Sequence, residues 1–150
     1  PGHGQSADLV RKCHWSIAMA GGYATYGDWS NGVSYFYMGH AGPGKAAPQL
    51  KLLRSFFEKL PYWELRPHDE LANSGFCLAK TPEHFIFYFP IGGPITINLQ
   101  SANDKKLGSN WFDPRTGGYV AGPALSASEN TITCPSSEDW ALYVQAANAK

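Results

Sequence analysis

The chain has 150 residues, of which 43% are hydrophobic, a globular rather than a disordered composition and length enough for one ordinary domain. Twelve basic and twelve acidic residues cancel to zero net charge, so the long-range attraction on which nucleic-acid binding draws is missing, and no apolar run approaches the ~20 residues of a membrane-crossing helix. Aromatic residues make up 14% of the sequence; a dense β-core accounts for most of them and leaves some rings to face a ligand or another surface.

In chain order, Pro1-Gly2-His3-Gly4 leads straight into a helical pattern with no signal-peptide character, and a start on Pro1 rather than Met predicts a processed or excised piece. Ser6 is a good N-cap, Leu9, Val10, Cys13 and Ile17 recur at helical spacing, and Gly21-Gly22 ends the helix. Tyr23 to Gly27 reads as a short strand. Residues 28 to 47 read as a loop in which Gly, Asn and Pro interrupt the aromatic cluster Trp29, Tyr35, Phe36 and Tyr37. Pro48 opens a second helix with Leu50, Leu53, Phe56, Phe57 and Leu60 inward, and Pro61 closes it.

Beyond Pro61 the period changes from 3.6 to 2. Phe76 to Ala79 and Phe85 to Phe89 are strand-like runs separated by a turn at Thr81-Pro82-Glu83. Ile95, Ile97 and Leu99 alternate with Thr96, Asn98 and Gln100, the signature of a half-buried strand. Leu107 to Phe112 leads into Asp113-Pro114-Arg115-Thr116-Gly117-Gly118, a turn in which Pro presets φ and Gly permits positive φ. Thr131 to Cys134 and Trp140 to Val144 supply the last strands. Short strands with turns about every ten residues predict an antiparallel sandwich or barrel. Two segments follow: 1–60 as helix, strand, loop, helix, and 61–150 as a β-sandwich.

The string Leu9-Val10-Arg11-Lys12-Cys13-His14-Trp15, followed by Ala20-Gly21-Gly22-Tyr23-Ala24-Thr25-Tyr26-Gly27, resembles the final barrel segment of the apiosidase-like glycoside hydrolases. Leu52-Leu53-Arg54, Pro61 to Pro67 and Trp111-Phe112-Asp113-Pro114-Arg115-Thr116-Gly117 resemble the C-terminal domain of those proteins, labelled a collagen-binding domain of a collagenase. The resemblance runs from about residue 7 to about 146. It implies a mainly β chain with an α/β start: the terminal strand–helix unit of a (β/α)₈ barrel, with 23–27 as its eighth strand, followed by an antiparallel β-sandwich. A complete barrel takes roughly 250 residues, so the rest of it, with both catalytic carboxylates, is expected before Pro1. The resemblance also implies a secreted, extracellular or periplasmic protein acting on oligosaccharide or polysaccharide.

Glycoside hydrolysis needs two carboxyl groups roughly 5 to 10 Å apart across one sugar bond, and no Asp or Glu pair in this sequence sits in a pattern that predicts it. No catalytic residue is therefore assigned. The five His residues are scattered without ligand spacing, the Asp113 turn lacks the alternating oxygens of a calcium loop, and no motif calls for a cofactor or metal. Cys77 and Cys134 fall on strands, where a bridge is open to them, although buried free thiols fit better. The candidate sugar-binding residues are Tyr26, Asp28, Trp29 and Asn31. They follow the expected barrel strand, where barrel sites are built, and a flat ring flanked by Asp and Asn suits a sugar's C–H face and hydroxyls; packing under the loop is the competing reading for Trp29. The expected function is the C-terminal portion of a carbohydrate-active enzyme, adding a wall of the sugar site and an accessory sandwich. The alternative is a non-catalytic binding or assembly module. An exposed pair of barrel helices calls for a companion, either the upstream chain or a second copy.

Overall fold

The computed structural model describes residues 6–25, 29–30, 33–34, 46–103 and 105–147. Helix α1 (Ala7–Met19) is capped by Ser6, whose Oγ accepts from the Leu9 N–H at 3.1 Å. It ends in a Schellman arrangement: Gly21 N–H donates to Ala18 O and Gly22 N–H to Ile17 O, with Gly21 at φ +74°. The buried face is not the apolar spacing read from the sequence. Leu9 and Ile17 are 47% and 40% exposed and Cys13 faces solvent, whereas Val10, Arg11, Trp15, Ala18 and Met19 are buried. Trp15 offers far more apolar area than Cys13 and faces the sheet, and Arg11 finds a carboxylate there, so this stripe sets the rotation of the helix.

Residues 22–25, in the stretch expected to be a strand, adopt no regular element; Gly27 and Tyr26 lie outside the described residues. A two-residue hairpin follows, β1 (Trp29–Ser30) with β2 (Val33–Ser34). Helix α2 (Ala47–Phe57) has Pro48 in its first turn. Its helical hydrogen bonding gives way to turns over 58–61, just before Pro61, because a proline lacks the donor and restricts the residue ahead of it. Phe56, Phe57 and Leu60 are buried as expected, with Leu52 and Leu53 half-buried.

The rest is antiparallel sheet. Strands β3 (Arg66–Pro67), β4 (Phe76–Lys80), β5 (His84–Phe89), β7 (Lys106–Phe112), β8 (Tyr119–Ala121) and β10 (Trp140–Ala147) form a six-stranded sheet in the order β3-β4-β5-β10-β7-β8. Strands β6 (Pro94–Asn98) and β9 (Glu129–Thr133) form a second, two-stranded sheet. Registry places Leu142 opposite Phe87 on one side and Trp111 on the other.

Three layers result, and the pleat explains which residue goes where. Cys77, Phe85, Phe87, Phe89, Trp111, Trp140, Leu142 and Val144 point to one face, where Ile95, Ile97, Leu99 and Ile132 of the small sheet close over them. Leu78, Ile86, Tyr88, Phe112 and Ala141 point to the other, against Trp15, Met19, Phe56 and Phe57 of the helices. With both faces covered, Phe85 to Phe89 are all buried, which is why that run carries no charged residue. Thr96 and Asn98 alternate with the buried isoleucines and are only half-buried, as the pattern predicts. Cys77 and Cys134 are buried and unbridged.

The turn after β7 forms as read. The Asp113 carboxylate accepts from the Arg115 backbone N–H at 2.9 Å and from its guanidinium at 2.8 and 3.0 Å, and Gly117 takes φ +78°. Although partial burial works the other way, Arg115 holds the Asp113 carboxyl below its ordinary range.

Candidate functional site

Of the four expected sugar-facing residues, Tyr26, Asp28 and Asn31 lie outside the described residues, as does the side chain of Trp29. The Trp29 backbone opens β1, opposite Ser34. The described residues bring together two other constellations, neither of which the sequence spacing announces.

The first is a buried polar cluster between α1 and the start of β10. Arg11 is 2% exposed and Asp139 fully buried. The guanidinium donates to Asp139 through Nε at 3.0 Å and Nη2 at 2.7 Å, a two-pronged contact that suits a planar carboxylate. Its Nη1 donates to Gln49 Oε1 on α2 at 3.0 Å, and Nη2 also meets Asp8. The Tyr88 hydroxyl donates to Asp139 at 3.1 Å. Burial alone would lower the Arg11 pKa, but its bonds and charge interactions with Asp139 and Asp8 outweigh that and raise it. Desolvation and the neighbouring Asp139 charge push the Tyr88 phenol up. The cluster thus ties both helices to the sheet.

Asp8, Glu138 and Asp139 bring carboxylate oxygens within 4.8 Å of one another. Arg11 already supplies the positive charge at this point. Asp139 has no exposed surface with which to meet a sugar bond, so this cluster does not have the geometry of a glycosidase carboxylate pair.

The second constellation is an apolar groove of about 1010 Å³ on the helical layer. Ala18, Leu50, Leu53, Phe57 and Leu60 form its apolar wall, and Tyr23, Tyr62 and Trp63 line one end. Tyr62 is held in place by its hydroxyl, which lies 2.8 Å from the carbonyl oxygens of both Ala18 and Gly22. Burial, then the neighbouring Tyr23, raises its pKa. Tyr23 packs edge-on against it at 5.5 Å. Tyr23 is 83% exposed and Trp63 71% exposed, a large apolar display for a globular surface. His14, Lys51, Arg54 and Glu58 also line it, the last two paired at 2.6 Å.

Nine chains among solved structures resemble this one. A structure titled "Glycoside hydrolase" superposes with a TM-score of 0.78 at 16% identity, over 94% of this chain and 37% of that one. A glycoside hydrolase family 5 structure from Bacteroides vulgatus ATCC 8482 superposes with a TM-score of 0.60 at 16% identity, over 67% of this chain and 24% of that one. At that identity the likeness is one of fold, and this chain spans little more than a third of the longer match and a quarter of the other. No curated protein matches it. A family model matches residues 68–145, from just before β4 into β10, which is more than half of the chain. The three-layered β-chain described above therefore belongs to the family described as "Putative collagen-binding domain of a collagenase".

Proposed function

We propose that this chain is the C-terminal portion of a carbohydrate-active, apiosidase-like glycoside hydrolase. In this reading residues 1–60 close a (β/α)₈ barrel, 61–150 are its accessory sandwich, and the catalytic carboxylates sit upstream. The observation that carries it is the apolar groove on the helical layer. With Tyr23 and Trp63 so exposed, that surface suits a joint with more protein, and the remaining barrel is the companion of matching kind. The fold likeness, which includes helices as well as sandwich and falls on a fraction of a longer hydrolase, supports the same reading. Tyr26, Asp28, Trp29 and Asn31 then stand at the sugar-facing rim, and the whole works outside the cytoplasm on oligosaccharide or polysaccharide.

The test compares this chain with the protein extended upstream. Hydrogen exchange in segments 17–24 and 60–64 should slow in the longer protein, and aryl-glycoside hydrolysis should belong to it alone. Equal exchange in both, or turnover by the 150-residue chain that is lost on mutating one of its own carboxylates, overturns the reading. A second reading has one observation in its favour: the family match covers the sandwich and neither helix. On that reading the sandwich is a non-catalytic binding or assembly module, and the groove is covered by a second copy.

A further inference from the structure

The helices cover only part of the six-stranded sheet. Past their edge, the same face of β10 and β7 is open, and a trough of about 290 Å³ lies on it, at the small end of ligand-sized cavities. Its composition follows from the register. Tyr143 stands opposite Asn110, Gln145 opposite Gly108, and Ala147 opposite Lys106, all on one face. On the other side of β10, Gln145 faces His84.

Each of these residues has a definite condition. The Tyr143 hydroxyl is 2.7 Å from His84 Nδ1, and the two rings stack at 6.0 Å with 11° between their planes, so the phenol is braced rather than free to swing. Asn110, Gln145 and Lys106 are exposed, and no side-chain bond engages them among the described residues. A carbon added at Gly108 would meet only the Gln145 carbonyl oxygen, at 4.0 Å. Glycine within a strand weakens it, and a position with open space above it is where a ligand can come close to the backbone.

We propose that this trough is a saccharide-binding subsite, in which one sugar ring lies over Gly108 against Tyr143. The two amides, each both donor and acceptor, bridge adjacent hydroxyls, as such groups do. Lys106 adds donors at one end, and the braced phenol gives the C–H face of the ring a flat wall. The short, amide-lined dip matches a single hydroxylated ring rather than a triple-helical rod, which needs a long continuous channel. The subsite stands on this geometry alone and does not depend on where catalysis occurs, so its failure and that of the hydrolase reading are separable.

The test is an NMR titration of the ¹⁵N-labelled 150-residue chain with tetrasaccharides of glucose, xylose, galactose and arabinose, and with a triple-helical collagen-like peptide. At least one tetrasaccharide should shift the amides of Gly108, Asn110, Tyr143 and Gln145. Gly108→Val, whose Cβ would meet only the Gln145 carbonyl oxygen at 4.0 Å, should weaken that binding at least tenfold while leaving the rest of the spectrum in place. Tyr143→Phe, which keeps the ring, should weaken it less than Tyr143→Ala. Shifts with the peptide and none with the sugars, no shift with any of them, or undiminished sugar binding by the Gly108→Val protein each overturn the proposal.

Discussion

Asp139→Ala tests what holds the helical layer to the sheet. The substitution removes the acceptor for two guanidinium bonds and for the Tyr88 hydroxyl at once. Arg11 is left charged in a site where it is 2% exposed, and stranding one partner of a buried pair costs about 3–5 kcal/mol. Asp8 remains beside the guanidinium, but its side chain is 53% exposed, so it offsets only part of the loss. An expected cost of about 3–4 kcal/mol follows, which in a protein of this length lowers Tm by about 10 °C. Urea unfolding followed by fluorescence of Trp15, which packs against Tyr88 at 5.0 Å, reads the change. The double substitution Arg11→Met with Asp139→Leu removes both charges and should recover most of the stability. A loss below about 1 kcal/mol in Asp139→Ala would mean that water reaches Arg11. A double variant no better than the single one would assign the loss to packing instead of stranded charge. Either result refutes the argument.

Gly92→Ala should destabilise by about 1–3 kcal/mol, because its new carbon would lie 1.9 Å from the Ser136 carbonyl oxygen and force two loops apart; urea midpoints read it, with Gly108→Ala as an unhindered control. Asp113→Asn should change the acid limb of the stability curve. A carboxyl whose folded pKa lies below the unfolded value of about 3.9 stabilises above that pH and ceases to as pH falls through the folded value. The stability gap between wild type and variant should therefore shrink from pH 5 to pH 2, and a constant gap would show that Arg115 does not hold this carboxylate.

Strands β4, β5, β6, β7, β9 and β10 were legible because each carries its own signal, whereas the short β3 and β8 carry none. Ile95, Ile97 and Leu99 mark a one-sided strand, and the unbroken run Phe85 to Phe89 marks one covered on both sides. The Asp113 turn was readable because Pro and Gly act within a few residues. Helix α1 misled for the opposite reason: its apolar spacing is real, but Arg11 meets Asp139 across 128 positions, and no local period encodes such a partner. The trough was invisible in the sequence because it exists only once β10 and β7 are in register. The groove likewise depends on how two helices and residues 61–63 converge.

The place of β10 in the sheet bears on how the chain is made. Synthesis delivers β5 and β7 first, yet the strand that separates them comes after both. Until Trp140 to Ala147 has emerged, the inner edges of β5 and β7 have no partner, and Phe87 and Trp111 lack the Leu142 that lies between them. A premature stop a little before residue 140 does not trim an edge; it takes out the middle and leaves two half-sheets, β3-β4-β5 and β7-β8, each with an unpaired side. Open edges of that kind pair with other molecules. Truncated copies of this chain are therefore set up to aggregate rather than to settle into a smaller version of the fold.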